Sequence, residues 1–140
     1  MSTFRQILVP LDLSARNQRA LSTALELARA NRARVTLLHV IQRIADLPPV
    51  DVRGFYEQLR EVAERRMARA ARPFAARRIA VRSAVFVGTP AEEIVKYALK
   101  NRVDLIVLAS HKIDSRSARG WGTTSYKVGI LCQCPVLLVK

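Results

Sequence analysis

An open parallel α/β sheet with helices on both faces is the fold this sequence predicts, and three observations carry it. Short apolar runs such as Gln6-Ile-Leu-Val-Pro-Leu11 and Leu105-Ile-Val-Leu-Ala109 lack polar alternation, which is what strands covered on both faces require. Between these runs lie helix-length stretches whose apolar residues recur at the i, i+3, i+4, i+7 spacing of one helical face. The two kinds of segment alternate as βαβαβαβαβ from end to end, an order that calls for parallel strands joined by right-handed crossovers.

Gln6 to Leu11 is a central strand, with Pro10 marking its C-terminal end. From Ala15 to Asn31 the residues Leu21, Ala24, Leu25 and Ala28 form one helical face, and Ser14 is the expected cap. Arg34 to Val40 is the second strand, followed by a loop containing Pro48 and Pro49. The second helix runs from Val52 to Arg72, turns Phe55, Leu59, Val62 and Ala63 inward, and is ended by Pro73. Ile79 to Val87 alternates more and so lies closer to an edge. Gly88-Thr-Pro-Ala-Glu-Glu93 reads as a helix start, with Thr89 as N-cap, Pro90 at the first helical position and Glu92 completing a capping box. That helix buries Ala91, Ile94, Val95 and Ala98, ends near Asn101, and leads to a strand from Val103 to Ala109. A polar loop, Ser110 to Gly122, precedes a short helix from Thr123 to Leu131, weakened by Gly129, and a last strand from Pro135 to Val139.

With 140 residues the chain makes a single domain, residues 1–140, large enough to bury roughly two-thirds of its unfolded surface. No apolar run approaches the roughly 20 residues of a membrane span, so no membrane insertion is expected. The N-terminus runs directly into a strand without a leader-like pattern, and a cytoplasmic location is the resulting expectation. Cys132 and Cys134 stand one residue apart, a spacing that strains an intramolecular disulfide and supplies too few ligands for structural zinc. Small core or semi-core residues are the ordinary reading of both. The formal charge of +13 would attract polyanions, nucleic acid among them. Much of it comes from Arg60, Arg65, Arg66, Arg69, Arg72, Arg77, Arg78 and Arg82, which a helix would display as a solvated face, the reading favoured over dedicated nucleic-acid binding.

Function points to the loop after the fourth strand. It leaves the C-terminal end of a strand and enters a helix at its positive end, where phosphate-type anions bind, so a nucleotide site is the first hypothesis. Asp12 sits where strand order reverses; the competing reading is an Asx turn, and one side chain can do both. His39, His111 and Asp12 would make a metal trio only if the fold gathered them, and a hydrogen-bonded imidazole in the sheet explains His39 more simply. Ser110 beside His111 is sequence adjacency, not a nucleophile and base. Trp121 either stacks on a base or packs against the last helix.

The blocks Ile7-Leu-Val-Pro-Leu-Asp12 with Ser14, Ala20-Leu21, Leu38-His-Val40, Val87-Gly-Thr-Pro-Ala91, Asp104-Leu-Ile-Val107, Ser110-His111, Gly122-Thr123 and Cys134-Pro-Val136 together resemble the universal stress protein family, across essentially the whole chain. The resemblance implies a five-stranded parallel sheet of order 3-2-1-4-5, Rossmann-like and similar to the adenine nucleotide alpha hydrolases. It also implies a homodimer through the last strand, Val136 to Val139. An uncovered apolar edge strand is an aggregation liability unless paired, an independent reason to expect the dimer. In the branch of the family that binds ATP the loop carries Gly-x2-Gly-x9-Gly-Ser/Thr, and here those positions hold Ala109, Lys112, Gly122 and Thr123. Only the final Gly-Thr matches. Lys112 has two readings: its ammonium replaces a backbone contact to phosphate, helped by Arg116 and Arg119, or its side chain fills the phosphate space, as in the non-ATP branch.

By resemblance Asp12 contacts the adenosine and Val40 lines the adenine pocket, core packing being the alternative for Val40. Pro10, Leu11, Asp12, Val40, Ala109, Ser110, Lys112, Gly122, Thr123 and Thr124 are thus the candidate site, for ATP or another adenine nucleotide with Mg²⁺. The expected function is a cytoplasmic stress-response regulator, with slow ATP hydrolysis at most. The alternatives are a slow ATPase and a module whose basic surface binds nucleic acid, an acidic protein, or a transporter or kinase partner.

Overall fold

The structure, a computed structural model, describes residues 3–45, 49–110 and 123–140, with backbone alone at 49–51. Its elements are β1 (Gln6–Pro10), α1 (Asn17–Asn31), β2 (Arg34–Gln42), α2 (Pro49–Ala76), β3 (Val81–Gly88), α3 (Pro90–Lys100), β4 (Leu105–Ala109), α4 (Thr124–Leu131) and β5 (Val136–Val139). The strands form one sheet in the order β3-β2-β1-β4-β5, parallel throughout. The predicted fold class and strand order are therefore what the chain adopts.

Period-two geometry sorts the continuous apolar runs onto two faces. Ile7 and Val9, Val35 and Leu37, and Leu105 and Val107 join α1 and α2 in one core. Leu8, Leu38, Val40, Ile106 and Leu108 join α3 and α4 in the other. On α1 the buried stripe is Asn17, Ala20, Ala24 and Ala28, small side chains that let the helix approach the strands closely; Leu21 and Leu25 sit half-buried at its shoulder.

Several local expectations are corrected. Ser14 does not cap α1: the helix starts at Asn17 and Arg16 takes the cap position without a side-chain capping bond, while Ser14 Oγ accepts from the Arg16 amide at 3.3 Å within a preceding turn. Thr89 has the extended backbone of an N-cap but makes no side-chain cap bond, so the capping box with Glu92 is not formed. The charges of Glu92 and Glu93 still sit in the first turn, where the helix dipole favours them. Pro73 lies inside α2, not at its end, and the inward face of that helix is Ala63, Met67 and Phe74, with Phe55, Leu59 and Val62 left exposed.

The end of α2 shows how Pro73 is accommodated. A proline in a helix interior costs about 3 kcal/mol through its missing amide, whereas burying a phenylalanine returns roughly 1.5–3 kcal/mol. Phe74 is 1% exposed, and its carbonyl accepts from the amides of both Arg77 (3.1 Å) and Ile79 (3.0 Å). Arg78 then reverses the chain at φ 59°. Arg32 and Arg102 take the same left-handed conformation after α1 and α3, positions where glycine is usual.

Candidate functional site

β1 is the switch point of the sheet, with β2 on one side and β4 on the other, and in open α/β sheets the crevice outside the strand ends at that place is where ligands bind. A cavity of about 310 Å³ lies there, at the lower end of the size range of small-molecule sites. Pro10, Leu11 and Asp12 from the end of β1, Val40 from β2, Ala109 from β4, and Thr123 and Thr124 at the start of α4 all line it. Ser110 is not among the lining residues, but its hydroxyl lies 3.5 Å from Ser125 Oγ, which lines it. Lys112, Gly122, His111, Arg116, Arg119 and Trp121 lie outside the described residues.

Two chemically different ends make up the cavity. Leu38, Val40, Ile94 and Leu108 give an apolar slot between sheet and α3. At the other end, Thr123 caps α4 by accepting from the Tyr126 amide at 3.3 Å, and its hydroxyl is 3.3 Å from Ser125 Oγ. The hydroxyls of Ser110, Ser125 and Thr123 thereby gather where the opening amides of α4 point outward, a place suited to anionic oxygens.

Sequence reading missed Asn17 and Gln42, which also line the cavity, while His39 lines it as the hydrogen-bonded imidazole expected in the sheet. Asn17 is 5% exposed, and its Oδ1 accepts from the amides of Asp12 (3.1 Å) and Leu13 (3.0 Å). That pair of hydrogen bonds holds Leu13 at φ 66°, a conformation costing a non-glycine residue about 1–2 kcal/mol. The signal was present in the sequence, because an asparagine in register with Ala20, Ala24 and Ala28 on a buried stripe has to find partners. Asn17→Ala should therefore lower stability by about 1–3 kcal/mol in urea denaturation, with the exposed Gln18→Ala within about 0.5 kcal/mol of the parent.

Asp12 Oδ1 accepts from the Ser14 amide at 2.8 Å, so the Asx turn is formed and the second carboxylate oxygen remains for a ligand. His39 donates from Nδ1 to the Leu11 carbonyl at 2.7 Å, which fixes the tautomer and leaves Nε2 as an acceptor. Asp12 is the one carboxylate among the described lining residues. Those residues build no dedicated metal site, and a magnesium ion would enter as the counter-ion of a ligand's phosphates.

A sequence model described as the universal stress protein family matches residues 3–140. The chain belongs to the universal stress protein family. A universal stress protein of Thermus aquaticus, encoded in the QAH/OAS sulfhydrylase 3′ region, is 30% identical over 138 residues, covering 98% of this chain and 99% of that one. The universal stress protein UspA of Lactobacillus plantarum superposes with a TM-score of 0.81 at 26% identity over the full length of both chains. The Archaeoglobus fulgidus universal stress protein in complex with dAMP shares the fold, with a TM-score of 0.72 at 20% identity over 99% of each chain. Among the described residues of this universal stress protein, no helix is long and apolar enough to cross a membrane.

Proposed function

We propose that this universal stress protein is a cytoplasmic, dimeric regulator that binds an adenine nucleotide in the cavity above β1 and β4. The observation that carries the reading is the pairing of an apolar slot at Val40 with the hydroxyl cluster of Ser110, Ser125 and Thr123 within one crevice. A flat base fits the slot, with Asp12 and His39 Nε2 offering acceptors to a sugar or base edge, and phosphate oxygens reach the start of α4. The A. fulgidus complex with dAMP supports the class of ligand.

Isothermal titration with AMP and Mg·ATP tests it. Asp12→Ala and Thr123→Ala should each weaken binding by about 10-fold, the worth of one hydrogen bond to a charged or polar partner. Absence of binding to the parent protein at about 1 mM nucleotide, weaker than any useful affinity, would sink the reading.

A second reading draws on a larger cavity of about 670 Å³ between α1 and α2, where Arg66, Arg69 and Arg77 line one wall. None of the three is ion-paired with a described carboxylate; among the described residues the ion pair formed is Lys96 with Glu93 at 4.0 Å. Such a wall suits a polyanionic partner, whose affinity would fall steeply with added salt.

A further inference from the structure

We infer that Cys132 and Cys134 form a thiol–disulfide exchange site for carboxylate-bearing low-molecular-weight disulfides. The site lies at the N-terminal ends of β4 and β5, the opposite end of the sheet from the crevice above β1. Both thiols are free and half-buried, and their sulfurs stand 3.3 Å apart. The backbone fixes both neighbours. The Cys132 amide donates to the Val128 carbonyl at 2.9 Å, which ties it to the end of α4, and the Pro135 carbonyl accepts from Ile106 at 3.0 Å, which ties Cys134 to the sheet. The thiols are thus presented together by structure and not by chance encounter of a mobile tail.

Beside them is a cavity of about 340 Å³ whose walls are Val95, Leu99, Leu131 and the exposed Arg102. Arg102 is held next to α3 by its left-handed backbone, φ 53°. A largely apolar pocket lined by one exposed arginine and by two thiols recognises a small molecule with a carboxylate at one end and a sulfur at the other.

The order of steps follows from the sulfurs' environments. Burial first, and then donation to Cys132 and the charge there, push the Cys134 thiol up to about 12. Cys134 therefore keeps its proton and donates to Cys132, which is the attacking sulfur. Cys132 gives its proton to solvent and its sulfur attacks one sulfur of the disulfide R–S–S–R, forming a Cys132–S–S–R bond and releasing one R–S⁻. Once Cys132 is in that bond it carries no charge and no longer holds the Cys134 proton, so two of the causes that raised Cys134 are gone. Burial and Asp104 still favour the protonated thiol, so the released R–S⁻ serves as the base that takes the Cys134 proton as Cys134 attacks Cys132 Sγ and expels the second R–S⁻. The chain gives up two electrons and two protons, and the disulfide becomes two thiols. Closing a ring across one intervening residue is strained, and strained disulfides are easily reduced, so the pair is suited to cycling and not to stapling the fold.

The test is to incubate the reduced protein with glutathione disulfide and follow intact mass. The parent should lose two hydrogens, retain no adduct and release two equivalents of glutathione. Cys134→Ser should trap one glutathione on Cys132, and Cys132→Ser should take up none. Arg102→Ala should slow the reaction with glutathione disulfide several-fold while leaving that with cystamine, a cationic disulfide, unchanged. Stable double adducts, disulfide-linked chain pairs or unreacted thiols in the parent would each overturn the exchange site, and equal slowing with both probes would overturn the ligand class.

Discussion

Replacing Phe74 by alanine is expected to cost about 3–5 kcal/mol, the range for emptying a fully buried aromatic site, and so to remove about a fifth or more of the stability of an ordinary domain. Phe74 is 1% exposed in the core shared by α1, α2 and the sheet. It follows Pro73 directly, where the helix has lost a backbone bond, so its burial is what keeps the final turn of α2 in place. Its carbonyl also accepts the Arg77 and Ile79 amides that turn the chain toward β3. The thermal midpoint should fall by about 10–20 °C at fixed protein concentration, and hydrogen exchange at Arg77, Arg78 and Ile79 should accelerate before that of the core strands. Phe55→Ala is the control, since Phe55 is 37% exposed and should cost under about 1 kcal/mol. Equal losses in the two variants would mean that the inward face of α2 is misassigned.

That control also marks where sequence and structure part. The strands were legible because Leu8, Leu37, Ile106 and Val107 are buried by layers on both sides, and no alternation interrupts their apolarity. The inner stripe of α2 was not, because it is partly polar. Tyr56 accepts from the Ile44 amide at 2.8 Å and Arg60 donates to the Val85 carbonyl at 2.7 Å, both on the same side as Ala63, Met67 and Phe74. Apolar periodicity therefore favoured the neighbouring stripe of Phe55, Leu59 and Val62. The end of α2 was hidden for a related reason: Arg78, not glycine, adopts the left-handed turn, so Pro73 was the only punctuation on offer.

The crevice divides in the same way. Pro10, Asp12, Val40, Ala109, Thr123 and Thr124 come from strand ends and a helix start, places that hydrophobic pattern locates well. Asn17 and His39 act through backbone atoms of the β1–α1 turn; that each must find a partner was legible from its buried setting, but which atoms it meets depends on tertiary proximity that spacing does not encode.

Leu138→Asp is expected to convert a dimer into folded monomers. β5 pairs with β4 along one side, from Val136 beside Ile106 to Val139 beside Ala109, and among the described residues it ends the sheet, with no strand on its other side. Leu137 and Leu138 are 38% and 40% exposed, and the strand Val136–Val139 carries no charge to discourage pairing. Ile130, on the helix immediately before it, is 61% exposed. An uncharged apolar edge next to an exposed aliphatic side chain invites a second copy, and a two-fold axis satisfies both edges at once without open-ended growth. Each buried leucine contributes roughly 1.5–3 kcal/mol, and symmetry places the substitution in the interface twice, so the dissociation constant should rise by about 10³-fold or more. The two introduced carboxylates would also face one another across the axis without a cation. Sedimentation at micromolar concentration should show a dimer for the parent and a monomer for Leu138→Asp, with unchanged far-ultraviolet circular dichroism. Leu99→Asp, on α3 and 73% exposed, should stay dimeric. A parent that sediments as a monomer would overturn the proposed dimer, and a Leu138→Asp protein that keeps the dimer mass would place its contact away from the apolar edge of β5.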